Sequence, residues 1–189
     1  MNNVTINKQA KLSEHLTSSS VAALGHSSEL DGSHLTPHFT LAEMCKTSVK
    51  TPDGNIPSHV HIENLKRLCG WLEMLRDEWN RRYAGCKMDD GRWKMGEQPI
   101  IINSGYRSPQ VNKAVGGAAN SNHLTGCAVD IRCLGVEQAL RYATTLLDIS
   151  DESKEDFDEL LIEKSAKSIW VHFAVRPEGN RRQINVIKV

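Results

Sequence analysis

The chain of 189 residues lacks several features that identify common classes of protein. Lysine plus arginine and aspartate plus glutamate both number 23, so no excess of positive charge favours nucleic acid or an anionic membrane as a partner. No run approaches the ~20 apolar residues that a membrane-spanning helix needs. Residues 1–5 lack the basic and then apolar pattern of a signal peptide. We therefore expect a protein that is synthesised in the cytoplasm and binds neither nucleic acid nor membrane.

Cysteine is also sparse and irregularly spaced. None of the five cysteines forms a Cys-x-x-Cys pair, and an odd number cannot form a closed set of disulfide bonds. This usage argues against a disulfide framework and agrees with a reduced, cytoplasmic protein.

Two histidines and one aspartate are the most informative residues present. His123 and Asp130 lie in one ten-residue stretch, and His172 follows in Trp-Val-His-Phe. Two imidazoles and one carboxylate leave a fourth tetrahedral position for water, which is the composition of a catalytic zinc site. Because seven extended residues would span over ~20 Å, the chain between His123 and Asp130 must fold back, and Gly126 is the residue that tolerates such a turn.

Two predicted strands can bring these side chains together. Residues 128–133 and 169–175 are rich in β-branched and apolar residues, and adjacent strands would present Asp130 and His172 side by side. A histidine in a strand is nevertheless more often a half-buried hydrogen-bonded residue than a ligand. A buried aspartate needs a metal, N–H donors or an arginine, and either Arg107 or Arg132 could supply the last. Spacing alone leaves these alternatives open.

A permanent cation precedes the candidate ligands in Ser-Gly-Tyr-Arg-Ser, residues 104–108. The Arg107 guanidinium can hold a substrate carboxylate through two parallel hydrogen bonds. Tyr106 beside it could contact substrate or donate a hydrogen bond to an oxyanion, although a tyrosine beside a turn is more often a structural plug. A metal site with a carboxylate anchor favours a metallopeptidase.

The combination of these motifs closely resembles the zinc D-Ala-D-Ala carboxypeptidase family, over residues 39–189. That family includes phage L-alanyl-D-glutamate endolysins and vancomycin-resistance D,D-dipeptidases, and it shares a zinc site with hedgehog signalling domains. The resemblance implies Zn²⁺ as cofactor, with His123, Asp130 and His172 as its ligands. It also implies that Arg107 binds a substrate carboxylate and that the hydroxyl of Ser121 contacts a ligand or the substrate. The motifs are Ser104-Gly105-Tyr106-Arg107-Ser108, Ser121-x-His123-x-x-Gly126-x-Ala128-x-Asp130 and Trp170-x-His172.

One departure from the family affects the general base. Several branches carry an acid or a histidine two or three residues before the last ligand, where this chain has Trp170 and Ile169. The base must then come from elsewhere. Residues 157–163 are predicted to form the preceding strand, and Glu159 and Glu163 share one of its faces. We expect Glu163, which lies closer to the connecting loop, to be the base; a solvated acid at a strand end is the alternative.

The pattern of elements predicts an α+β fold with an antiparallel sheet that bears the zinc site. Apolar residues at steps of three and four predict a long amphipathic helix over residues 58–83. The polar segment 1–37, rich in serine and histidine, is predicted to be a flexible arm, and residues 38–189 the zinc peptidase domain. Shorter helices are predicted at 109–115 and 135–147, and further strands at 157–163 and 183–187.

The expected substrate is a peptidoglycan stem peptide, cut by a monomeric D,D-carboxypeptidase or L-Ala-D-Glu endopeptidase. An enzyme of the cell wall without a signal peptide needs another exit, and a phage holin provides one, so we expect a phage or prophage endolysin. A housekeeping D,D-carboxypeptidase would differ by releasing free D-Ala. The alternative from another class is a cell-wall peptide-binding module that keeps zinc but has lost hydrolysis.

Overall fold

The computed structural model describes residues 33–83, 85 and 96–189. The helices are α1 (Leu41–Met44), α2 (His59–Tyr83), α3 (Pro109–Ala114) and α4 (Val136–Ser153), and a 3-10 helix, η1, spans Asn122–Thr125. The strands are β1 (His34–Thr36), β2 (Phe39–Thr40), β3 (Ile102–Ser104), β4 (Ala128–Cys133), β5 (Glu159–Lys164), β6 (Ile169–Ala174) and β7 (Gln183–Lys188). The predicted α+β class is confirmed.

Five strands form the sheet that carries the candidate site, in the order β3-β4-β6-β5-β7. Three neighbouring pairs are antiparallel, but β5 and β7 are parallel, so the prediction of an antiparallel sheet is wrong for that last pair. The reason is topological. Both edges of β6 are occupied by β4 and β5, so the chain leaving β6 continues along the outer edge of β5, in the same direction as β5.

The two faces of this sheet differ in polarity because side chains alternate along each strand. One face is apolar and packs against α2 and α4; Trp71 of α2, for example, lies 5.4 Å from Phe173 of β6 between ring centroids. The opposite face carries Asp130, His172 and the acids of β5. The long helix α2, predicted over residues 58–83, therefore covers the core face and leaves the polar face for the site.

The N-terminal boundary of the folded unit lies earlier than predicted. His34–Thr36 form β1, which pairs with β2 and contacts α2, although the sequence assigned these residues to the arm. Residues 1–32 of the predicted arm lie outside the described residues. Among the described helices, none combines the length and apolarity that a membrane crossing requires.

Candidate metal centre

Asp130 and His172 lie opposite each other on β4 and β6, and His123 reaches the same point from η1. Oδ1 of Asp130 lies 3.0 Å from Nδ1 of His172 and 3.3 Å from Nε2 of His123. One donor atom from each residue lies within 4.8 Å of the other two, and all three residues are buried. Ligands on a tetrahedral zinc are about 3.3 Å apart, so two nitrogens and one oxygen at this spacing fit such a metal.

The turn that brings His123 to Asp130 lies at Gly126, as the sequence predicted. Ser121 caps η1, its hydroxyl accepting a hydrogen bond from the backbone N–H of His123, and Gly126 ends the helix at φ 72°. A Cβ at Gly126 would also lie 2.6 Å from the carbonyl oxygen of His61 in α2. Both the backbone conformation and the close approach of α2 therefore require glycine there.

A second loop fixes the ring of His123. Nδ1 lies 2.6 Å from the carbonyl oxygen of Gly105, and the backbone N–H of Arg107 donates to the carbonyl of His123 at 3.0 Å. Gly105 is needed because a Cβ there would lie 2.3 Å from the carbonyl oxygen of Met44. With Nδ1 donating to this carbonyl, Nε2 faces Asp130 with its lone pair. The Ser-Gly-Tyr-Arg motif thus orients a candidate ligand.

Arg107 forms an ion pair with Asp130 through the oxygen that faces away from the histidines. Nη2 donates to Oδ2 of Asp130 at 2.5 Å, and Nε donates to Oγ of Ser104 at 2.8 Å. Arg132, the other candidate partner, is exposed. Because Oδ1 and Oδ2 have different partners, an arginine and a metal do not exclude each other at Asp130. The expected role of Arg107 toward substrate stays a prediction.

Glu159 contacts the cluster from behind His172. Its Oε2 lies 3.3 Å from Nε2 of His172, on the opposite side of the ring from Asp130. Sequence reasoning weighed Glu159 only as a rival base and missed this contact. The alternation of β5 was the sequence feature that could have revealed it, because it places Glu159 and Glu163 on one face. In the structure the two acids lie at the two diagonal positions around His172.

The acids and histidines of the cluster stabilise one another's charged forms, as their pKa shifts indicate. Burial raises the pKa of Asp130, but His123 and His172 outweigh it and hold that pKa well below its usual range. Burial lowers the pKa of His172, whereas its contacts with Asp130 and Glu159 raise it to about 9. The contact with His172 lowers the pKa of Glu159 to about 2, despite burial. The protonated His172 is therefore held between two carboxylates, and a metal ion would displace the proton on Nδ1, the nitrogen that faces Asp130.

Glu163 has the opposite electrostatic environment. Burial raises its pKa above the usual value, and the nearby charge of His172 only partly offsets this effect. Glu163 lies opposite Trp170 in the ladder and forms no ion pair within the described part of the chain. Glu163 is thus a half-buried carboxylate with a raised pKa, and its expected role as the general base stays a prediction.

Ser121 and Tyr106, the other two predicted site residues, lie in different surroundings. The hydroxyl of Ser121 caps η1, so it supports His123 from behind. Tyr106 is 4% exposed and belongs to the hydrophobic core, where its ring lies 5.0 Å from that of His61. This position agrees with a structural plug, and a contact between Tyr106 and substrate stays an untested prediction.

Comparison with known proteins places this arrangement in a family. The sequence model of the family described as Peptidase M15 matches residues 37–172, which include all three residues of the cluster. A 45-residue segment is 47% identical to the zinc D-Ala-D-Ala carboxypeptidase of Streptomyces albus G. That segment covers 24% of this chain and only 18% of the relative. Since the family match spans most of the chain, the protein belongs to the peptidase M15 family.

Proposed function

We propose that this protein is a zinc-dependent peptidase that cleaves peptidoglycan stem peptides. The observation that carries the proposal is the convergence of His123, Asp130 and His172, all buried, on one point of the polar sheet face. The outward atoms of each side chain are held by Gly105, Arg107 and Glu159 respectively. Metal-binding histidines and carboxylates typically have such hydrogen-bond partners, which set the ring orientation and the tautomer.

Zinc held by these residues would act as a Lewis acid on the scissile carbonyl and would make water more acidic. Glu163 then takes a proton from the attacking water and returns it to the leaving amine. Its diagonal position places its Cβ about 7 Å from that of His172, close enough for the carboxylate to reach the reacting atoms. Glu159 is a poor candidate for this step because its pKa is depressed to about 2.

Arg107 is proposed to hold a substrate carboxylate and so to set which peptide bond lies at the metal. Its Nη2 and Nε are engaged by Asp130 and Ser104, but Nη1 has no acceptor in the part of the chain that the structure describes. The side chain is 16% exposed, so a substrate can approach it. A guanidinium that bridges the metal ligand and the substrate would align the peptide with the cluster.

The peptidoglycan substrate is supported by the motif resemblance and by the carboxypeptidase relative. We propose either D,D-carboxypeptidase or L-Ala-D-Glu endopeptidase activity, in a phage or prophage endolysin that is released to the cell wall by a holin. The test is incubation of the zinc-loaded protein with purified muropeptides, followed by mass spectrometry. Release of D-Ala supports the first activity and cleavage after L-Ala the second, whereas cleavage of neither bond contradicts the proposal.

A binding module that has lost hydrolysis is the second candidate. It is favoured by Trp170 and Ile169, which stand where several branches of the family carry an acid or a histidine. In the same incubation, a module of this kind would bind murein and leave every muropeptide intact. Glu163 argues for the enzyme, since it supplies a carboxylate beside the cluster from the neighbouring strand.

Substitution of Arg107 by lysine tests the carboxylate anchor. Lysine keeps the charge but loses the fork, so we expect kcat/KM for a stem peptide with a free carboxylate to fall roughly 10- to 100-fold. For the same peptide with that carboxylate amidated, the substitution should leave kcat/KM nearly unchanged. Zinc content must be measured in parallel because Arg107 also contacts Asp130. Arg132→Lys is the control, and an unchanged preference in Arg107→Lys would show that Arg107 is purely structural.

The pKa of His172 predicts how stability depends on pH. In the metal-free protein a pKa raised from 6.5 to about 9 contributes stability that is complete below pH 6.5 and lost as pH rises toward 9. Zinc requires the neutral imidazole, so the stabilisation that zinc adds should increase over the same range. Thermal unfolding with chelator and with buffered zinc would measure both trends. A zinc effect that decreases with pH would contradict His172 as a ligand.

A further inference from the structure

We infer that Glu159 is a positioning residue for His172, and that Arg181 and Asn122 hold Glu159 in place. This inference rests on the proposed metal site, because it concerns how one of the proposed ligands is oriented. It assigns to Glu159 a role distinct from that of Glu163, although the two acids share a strand face.

The geometry around the imidazole separates the two roles. Nδ1 of His172 faces Oδ1 of Asp130 at 3.0 Å, whereas Nε2 faces Oε2 of Glu159 at 3.3 Å. Opposite nitrogens of one ring point in different directions, so Glu159 lies behind the ring and outside the cluster of donor atoms. A carboxylate that accepts the proton of Nε2 selects the tautomer with a lone pair on Nδ1, and it increases the donor strength of that nitrogen.

Glu159 is itself held by hydrogen bonds from two other side chains. Nη2 of Arg181 donates to Oε1 of Glu159 at 2.7 Å, and Nδ2 of Asn122 donates to Oε2 at 3.0 Å. The same two side chains bind Asp158, whose side chain is fully buried. Arg176 adds a further contact to Asp158 at 3.0 Å. Because Asp158 adjoins Glu159 in sequence, its anchored carboxylate fixes the start of β5 and the orientation of Glu159.

This network links His172 with two other parts of the chain. Asn122 precedes His123, so the same amide that binds Glu159 belongs to the 3-10 helix that carries another proposed ligand. Arg181 lies in the crossover between β6 and β7, the segment that makes the last strand pair parallel. The crossover thus places a guanidinium where it neutralises the acid behind His172. Without it, two adjacent carboxylates would repel each other.

The test is the affinity for Zn²⁺ of Glu159→Gln, measured on chelator-stripped protein by competition with a chromogenic chelator. Loss of such an outer partner typically weakens metal binding about 10- to 100-fold, and we expect a loss of that size. Arg181→Lys keeps the charge but not the two-pronged contact and should give a smaller loss. Glu178→Gln, an exposed acid of the same crossover, is the matched control and should bind zinc as the wild type does.

A spectroscopic readout separates positioning from coordination. In the Co²⁺-substituted protein, Glu159→Gln should leave the intensity of the visible bands that report coordination number unchanged, while its affinity for the metal falls. A change of coordination number would make Glu159 a ligand and would overturn the inference. A Glu159→Gln variant that binds Zn²⁺ within about twofold of a zinc-binding wild type would also overturn it, since outer partners matter more than that. A wild type that binds no zinc would overturn the metal site itself.

Discussion

Substitution of His172 by alanine is expected to abolish tight zinc binding and to reduce peptide hydrolysis to background. His172 is the imidazole of this cluster whose two nitrogens both meet carboxylates, with Asp130 on one side and Glu159 on the other. Its removal leaves two donors, too few to hold zinc against the competition of water. It also leaves two acids without the positive charge between them. Zinc should therefore be lost before the protein reaches an assay that contains no added metal.

The same result is expected for His123→Ala and Asp130→Asn. Asparagine is the better replacement at Asp130 because it keeps the shape beside Arg107, whereas alanine would leave the guanidinium without its partner. Metal analysis after dialysis and activity on muropeptides measure the two effects, and circular dichroism shows whether each variant is folded. One zinc per chain in all three folded variants would rule out this cluster as the metal site.

The position of the candidate ligands could be predicted from local signals in the sequence. The alternation of residues 128–133 placed Asp130 on the face opposite Val129 and Ile131, and the structure places those two in the core. The need for a turn before β4 predicted the left-handed Gly126, which has φ 72°. The sequence predicts that two adjacent strands can present Asp130 and His172 side by side, and the structure pairs these residues across β4 and β6.

The residues that the sequence did not reveal are those whose roles depend on long-range contacts. The parallel pairing of β7 follows from which strand edges remain free, and no local pattern records this. Arg181 reaches Glu159 across 22 residues only because of that crossover. The sequence left open whether Arg107 or Arg132 pairs with Asp130, and only the fold shows that it is Arg107. The sequence favoured a structural plug for Tyr106 but could not show what it packs against, which includes the ring of His61 in α2 at 5.0 Å.

The two acids of β5 show how environment separates residues that sequence treats alike. Both have the same spacing from Leu161 and lie diagonal to His172. Contact with His172, Asn122 and Arg181 lowers the pKa of Glu159, whereas burial raises that of Glu163. Two carboxylates whose pKa values are pushed apart in this way commonly have different roles in a mechanism. Because the pKa of Glu163 is raised and that of Glu159 is lowered, Glu163 is the better proton acceptor of the two.

Substitution of Glu163 by glutamine is expected to reduce kcat by about 10²- to 10⁴-fold, the usual cost of losing a positioned acid–base group. Zinc affinity should be unchanged, because Glu163 is not a proposed ligand. Glu159→Gln should give the converse: weaker zinc binding, with most of kcat recovered once zinc is saturating. The different environments of the two acids therefore predict different effects: a loss of kcat for Glu163→Gln and a loss of metal affinity for Glu159→Gln.

The pH dependence of kcat gives the decisive test of Glu163. Because burial raises its pKa, the wild-type rate should fall on the acid side as Glu163 is protonated, at a pH above the 4.5 of an ordinary glutamate. In Glu163→Gln, measured with saturating zinc, that acid limb should disappear from the residual rate. If the limb persists and kcat is unchanged, another group takes the proton. If instead Glu159→Gln loses kcat at saturating zinc while Glu163→Gln stays active, the two acids have exchanged roles, and the carboxylate behind His172 must move to reach the reacting water.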